Sequence, residues 1–258
     1  MSDYRERKAL IGGGAVVWTR TAGAGPQRVL PDGCTDLVWS GTGPEGELIV
    51  AGPDTRAHLA SGPPGTRAVG LRFAPGAGPA VLGVPAHELR DLRVPLAALW
   101  PDAEVRRLAE RIAERITGRA AERTAGRAAE RIAGRESAPG RVLEEAALGR
   151  LRTAEPPDPV LAAIVAGASR GTGVAGIAAA VGLGERQLHR RSLAAFGYGP
   201  KTLGRVLRLN RALDLARTGV RFAEVAATAG YADQAHLARE VRTLTGVPLS
   251  RLLAAPGG

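Results

Sequence analysis

Apolar positions recur with two different periods along this chain, and the period changes roughly halfway. Over residues 11–75 the apolar runs are short. Val16-Val17-Trp18, Arg28-Val29-Leu30, Asp36-Leu37-Val38-Trp39 and Leu48-Ile49-Val50 are set apart by Gly, Pro and Asp. Runs of that length between turn formers predict short strands. In Arg67–Phe73 the residues Val69, Leu71 and Phe73 share one face and Arg72 lies on the other, the period-two pattern of a half-buried strand. Several such strands close together predict a small antiparallel sandwich or barrel. Helical signals follow. Pro85 suits a first helical position before Ala86-His87-Glu88-Leu89, and Asp102 suits the cap of a helix starting near Ala103.

From Pro159 onward the pattern is helical throughout. Helices are predicted at about 160–168, 174–181, 185–196, 201–217, 222–229, 234–244 and 249–254. Gly171, Gly182, Gly197, Gly219, Gly230 and Gly246 fall in the gaps, where a helix C-terminus favours left-handed backbone. Between the halves, Gly118–Ala125 is repeated nearly unchanged as Gly126–Ala133. Equivalent positions in such a repeat drift by about 80° per eight residues, so no apolar stripe outlasts Leu108, Ile112 and Ile116. The tract reads as a solvated helical linker, ended by Glu155-Pro156-Pro157-Asp158-Pro159, where consecutive prolines block helix. Asp158 suits a cap, with Pro159 opening the next helix. The expected fold class is α+β. It comprises a small antiparallel β domain with flanking helices at 1–107, a helical repeat and Pro-rich linker at 108–157, and an all-α domain at 158–258.

Charge sharpens this picture. The 258 residues carry a net charge of +10, with 35 basic residues of which only Lys8 and Lys201 are lysines. Residues 158–258 hold 13 basic and 6 acidic side chains, so +7 of the +10 lies in the helical domain. That localisation favours a polyanionic partner more than the total does, because a GC-rich genome enriches Arg without any such partner. Cys34 is the single cysteine, which excludes an intramolecular disulfide and a Cys-based zinc site. The N-terminus lacks a signal-peptide core, and no apolar run of about 18 residues exists, so the expected location is the cytoplasm and no membrane partner is expected.

Other chemistry finds little support. Gly171-Thr172-Gly173-Val174-Ala175-Gly176 satisfies a dinucleotide-binding spacing, but it follows a helix and lacks a βαβ unit. His58, His87, His189 and His236 are scattered, and His87-Glu88 lacks the second His of a zinc protease motif. No cofactor, metal site or catalytic residue is expected.

The helical half contains two units of one design: a short Ala-rich helix, a Gly turn, and a second helix carrying His and Arg. The first unit is Val174–Arg191 and the second Phe222–Val241. Each has the form of a helix-turn-helix, whose second helix enters a major groove of double-stranded DNA. In the first, Leu188 and Leu193 are expected inside, with Arg186, His189 and Arg190 on the opposite face at i, i+3 and i+4. Arg reads guanine through its fork, and His donates or accepts at a base edge. In the second, Asp233 suits a cap and Leu237 and Val241 point inward. Gln234, Ala235, Ala238 and Arg239 then face out, Arg239 as the base contact. The connecting helix carries Arg205, Arg208 and Arg211, equally suited to phosphate contact and to solvent.

Residues 174–253 resemble the AraC/XylS family of bacterial transcription regulators. The matching stretches are Arg208-Leu209-Asn210-Arg211-Ala212-Leu213-Asp214-Leu215-Ala216, then Val225–Val241, then Thr245-Gly246-Val247-Pro248. The resemblance implies DNA contacts from Arg186, His189 and Arg190 in the first recognition helix and from Ala235, Ala238 and Arg239 in the second. Ser192 and Val241 depart from it, standing where the family usually has Phe. Arg28–Val38, with Gly83-Val84-Pro85, resembles a sensor-like domain found ahead of such units. The expectation is a non-enzymatic transcription regulator, modulated by a small-molecule effector or a partner through residues 1–154. A homodimer on repeated half-sites is compatible with that expectation. The alternative is a DNA-repair methyl acceptor using Cys34, although carboxylates at Asp32 and Asp36 would blunt that thiol.

Overall fold

A computed structural model describes residues 4–124 and 138–254. The first half is built on a six-stranded antiparallel sheet with strand order β1-β2-β7-β4-β5-β8. The strands are β1 (Arg5–Lys8), β2 (Val16–Thr21), β4 (Thr35–Gly41), β5 (Glu47–Ala51), β7 (Arg67–Phe73) and β8 (Arg93–Pro95). A separate two-stranded ribbon pairs β3 (Gln27–Val29) with β6 (His58–Ala60). Five of these strands follow the apolar runs. β1 does not, because all four of its side chains are charged. It is held by its backbone ladder to β2, Arg5 opposite Thr19 through Lys8 opposite Val16.

One face of the six-stranded sheet makes the first core. Val17, Leu37, Trp39, Leu48, Val50, Val69, Leu71 and Phe73 are buried there. The short helix α1 (Gly78–Leu82) and two longer helices cover them. α2 (Asp102–Thr124) contributes Leu108 and Ile112, the first two members of the predicted stripe. α3 (Ala138–Leu151) contributes Val142, Leu143 and Ala147. Its approach is close: a Cβ on Gly140 would lie 2.5 Å from a Val17 methyl. α3 also carries Glu144, only 1% exposed, which accepts from both terminal nitrogens of Arg7 on β1 at 3.0 and 2.7 Å and from the Leu10 amide at 2.6 Å. Such a buried carboxylate persists only because it is fully partnered. Much of the stretch expected as linker therefore packs with the sheet, and the boundary drawn at 107 cuts through one core. The physical reason is that residues 138–151 bury a stripe the Arg-rich tract before them lacks. Residues 125–133 of the repeat lie outside the described residues.

The second half is helical, as its periodicity predicts. α4 (Pro159–Ser169), α5 (Val174–Ala180), α6 (Glu185–Phe196), α7 (Pro200–Arg217), α8 (Phe222–Ala229), α9 (Gln234–Thr245) and α10 (Leu249–Ala254) follow in order. Asp158 caps α4 by accepting from the Val160 amide at 3.0 Å, with Pro159 in the first turn. α6 and α9 end at Gly197 and Gly246, with φ of 81° and 76°, values a side chain would resist. Among the described residues no helix is long and apolar enough to cross a membrane.

Candidate nucleic-acid interface

α7 organises the site. Its first half gives Leu203 and Val206 to a core shared with Ile164, Ile177, Leu188 and Phe196. Its second half gives Leu209, Ala212, Leu213 and Ala216 to a core shared with Val225, Leu237, Val241 and Leu244. One rod of 18 residues, about 27 Å long, thus holds two helix-turn-helix units, α5–α6 and α8–α9.

In α6, Leu188, Ser192 and Phe196 are fully buried, and Arg186, His189 and Arg190 are exposed. Gln187 fixes the helix start by accepting from the Gly184 amide at 3.0 Å. The ring of His189 lies against Gly199 at the head of α7, where a Cβ would come within 2.6 Å of it. His189 is thereby steered by the turn it packs on. In α9, Asp233 caps by accepting from the His236 amide at 2.6 Å. Leu237, Val241 and Leu244 point inward, while Gln234, Ala235, Ala238 and Arg239 are exposed. Arg186, Arg190 and Arg239 make no ion pair among the described residues, whereas Arg191 is tied to Asp158 at 2.8 Å. A cation on a recognition helix without a counter-ion is what an approaching phosphate or guanine requires.

The structure spends two other arginines internally. Arg205 on α7 holds Glu240 on α9 at 2.6 Å. Arg208 stacks over the Tyr231 ring at 4.7 Å and donates to the Gly230 carbonyl at 3.4 Å. Burial pushes the Glu240 carboxyl up, but the hydrogen bond and charge of Arg205, with Arg208, hold it below its ordinary value. Glu240 is ionised at neutral pH and pins the second recognition helix to the rod. Arg211 is exposed. At the two positions that depart from the family's usual Phe, the smaller residues are fully buried. Val241 packs in the second core, and the Ser192 hydroxyl has no hydrogen-bond partner among the described residues.

The N-terminal domain grips both recognition helices at their C-terminal ends. Phe196 lies against Gly76, Gly197 lies against Pro53, and the Arg90 guanidinium donates to the Gly197 carbonyl at 3.3 Å. Tyr198, 2% exposed, sets its hydroxyl beside Gly33. At the second unit the Arg28 guanidinium donates to the Thr245 carbonyl, and the Ala57 amide to the Leu244 carbonyl, both at 2.7 Å. Sequence reasoning missed these contacts, since nothing local marks Arg28 or Ala57 as partners of a helix some two hundred residues away.

Cys34 sits at this junction. Burial, then the carboxylates of Asp32 and Asp36, push its thiol well above the ordinary range against the opposing pull of Arg72. It stays protonated at neutral pH and makes a poor nucleophile. Among the described residues no cluster of His, Cys, Asp and Glu is suited to a metal.

The helix-turn-helix domain family matches residues 177–255, and a domain family of unknown function, DUF6597, matches residues 15–95. No curated protein matches the chain. Solved structures of ToxT from Vibrio cholerae match along almost their full length. One crystal form is 11% identical, with 97% of each chain covered and a TM-score of 0.46. The wild-type protein with a bound unsaturated fatty acid is 11% identical, with 96% of each covered and a TM-score of 0.47. The complex with (E)-4-(8-methylnaphthalen-1-yl)but-3-enoic acid is 12% identical, with 97% of this chain and 98% of ToxT covered and a TM-score of 0.46.

Proposed function

We propose that the protein is a transcription regulator of the AraC type, whose C-terminal helix-turn-helix domain reads two successive major grooves with α6 and α9. The observation that carries this reading is the pair of exposed recognition faces held on one rod. Successive grooves on one face of DNA lie about 34 Å apart. A rod of about 27 Å, together with the roughly 10 Å width of the helices seated beside its two halves, matches that interval in scale. Arg186 and Arg190 then read bases in the first groove and Arg239 in the second, with His189 and Gln234 as supplementary polar contacts. The Ala235 and Ala238 surface of α9 lets backbone approach closely, so the second unit adds affinity more than sequence information.

The N-terminal domain is the modulator in this reading. It touches the ends of both recognition helices, so a small molecule or a partner that shifts it changes how the pair is presented. Only an effector that binds one arrangement better than the other does this.

Arg190→Ala tests the base-reading role. Against a site selected from random DNA, this variant is expected to bind with about 1–3 kcal/mol less free energy. On unselected DNA at the same salt the loss is expected to be small. Equal weakening on both, measured by fluorescence anisotropy, would make Arg190 a phosphate contact and contradict the assignment.

A further inference from the structure

The sheet has a second face, turned away from the first core, and one row across it is charged at both ends. The strand registers place Arg20 on β2 opposite Ala68 on β7, Ala68 opposite Ser40 on β4, and Ser40 opposite Glu47 on β5. Directly paired residues point to the same face, so these four form one row across four neighbouring strands. The row has a cation at one end, a carboxylate at the other, and two small residues between. Three strand spacings separate the ends by about 14 Å at the backbone. Above the row lies a cavity of about 560 Å³ with Arg20, Ser40, Thr42, Glu45, Glu47 and Ser61 in its lining.

The charges at the two ends are not spent on each other. Neither Glu45 nor Glu47 forms an ion pair among the described residues, and both are exposed. Arg20 is partly buried, and no carboxylate pairs with it either. One terminal nitrogen donates to the Gln27 side-chain oxygen, and the Arg20 Nε is buried without a partner among the described residues. A guanidinium desolvated without a counter-ion is costly unless an anion completes it.

We propose that this cavity binds a small molecule carrying a carboxylate at one end and an ammonium group at the other. Arg20 takes the carboxylate, Glu47 and Glu45 take the ammonium group, and the Ser40, Thr42 and Ser61 hydroxyls line the middle. The volume suits a ligand of a few to a few tens of heavy atoms. The site also has a route to the recognition helices. Gln27, the present partner of Arg20, precedes Arg28, which holds the end of α9. A carboxylate that draws Arg20 from Gln27 acts on the strand gripping the second reader. That consequence rests on the regulator reading above, whereas binding does not.

The test is calorimetric titration of the full chain with three probes of matched length. L-lysine has both end groups, cadaverine lacks the carboxylate, and L-norleucine lacks the terminal amine. Lysine is expected to bind at least about tenfold more tightly than either, the scale of one lost charge-assisted contact. Arg20→Gln is expected to erase the advantage over cadaverine, and Glu47→Gln, at the exposed start of β5, the advantage over norleucine. Melting curves without probe check that each variant is folded, and Glu47→Gln carries the test should Arg20→Gln unfold. Equal binding of all three probes, no binding of any, or an unchanged preference in folded variants overturns the proposal. DNA affinity of the probe-free chain is measured alongside. Its absence would sink the regulator reading while leaving the cavity assignment standing, and intact DNA binding without probe binding would do the reverse.

Discussion

Replacing Arg190 and Arg239 together by alanine is expected to remove about 2–6 kcal/mol of binding free energy at the selected site. Each residue stands exposed on its own recognition helix, and each helix belongs to its own core on α7. Sites that share no partners contribute additively, so the double loss should equal the sum of the two single losses to within a few tenths of a kcal/mol. Anisotropy titrations at one fixed salt concentration check this, since phosphate contacts make affinity steeply salt-dependent. A double variant no worse than Arg190→Ala would mean that Arg239 makes no energetically significant contact with DNA. A double loss far above the sum would mean that the two helices are coupled through the rod.

Phe196→Ala should produce the largest loss of stability, about 3–5 kcal/mol. Phe196 is 1% exposed and closes the core of the first helix-turn-helix unit. Its ring also presses on the N-terminal domain, where a Cβ on Gly76 would stand 2.9 Å from Cε1. The truncation therefore opens a cavity on both sides of the junction. The neighbouring Ser192, already smaller than the usual occupant of its position, offers nothing to fill it. Against a total stability of about 5–15 kcal/mol, the loss is readily measured by denaturant unfolding. A change below about 1 kcal/mol would show that the junction around Phe196 collapses freely and does not brace the recognition helix.

The helical half was legible because each signal agreed with the others. Asp158 and Asp233 cap the helices that follow them, and Gly197 and Gly246 close the two recognition helices with left-handed backbone. The apolar spacing of Leu188, Leu237 and Val241 turned the basic residues outward. The first half was legible only where strands carry apolar runs. Arg5–Lys8 carries no apolar position, so β1 is visible only as a ladder. α3 was hidden because its buried stripe includes Glu144, a residue that periodicity counts as surface and that only Arg7, far away in sequence, makes tolerable inside. Arg205 and Arg208 looked the same as Arg211 in sequence. What separates them is the approach of α9, which brings Glu240 to the first two and leaves the third in solvent. The row linking Arg20 to Glu47 likewise depends on strand register, which apolar runs do not specify.

In the proposed complex, two basic helices on one rod settle into neighbouring turns of DNA. Hydroxyl-radical footprinting of the full chain on its selected site tests it most directly. Two protected half-sites are expected about 10–10.5 base pairs apart, centre to centre, on one face of the duplex, with the second half-site losing its protection in Arg239→Ala. A single protected groove, or two patches on opposite faces, would contradict it.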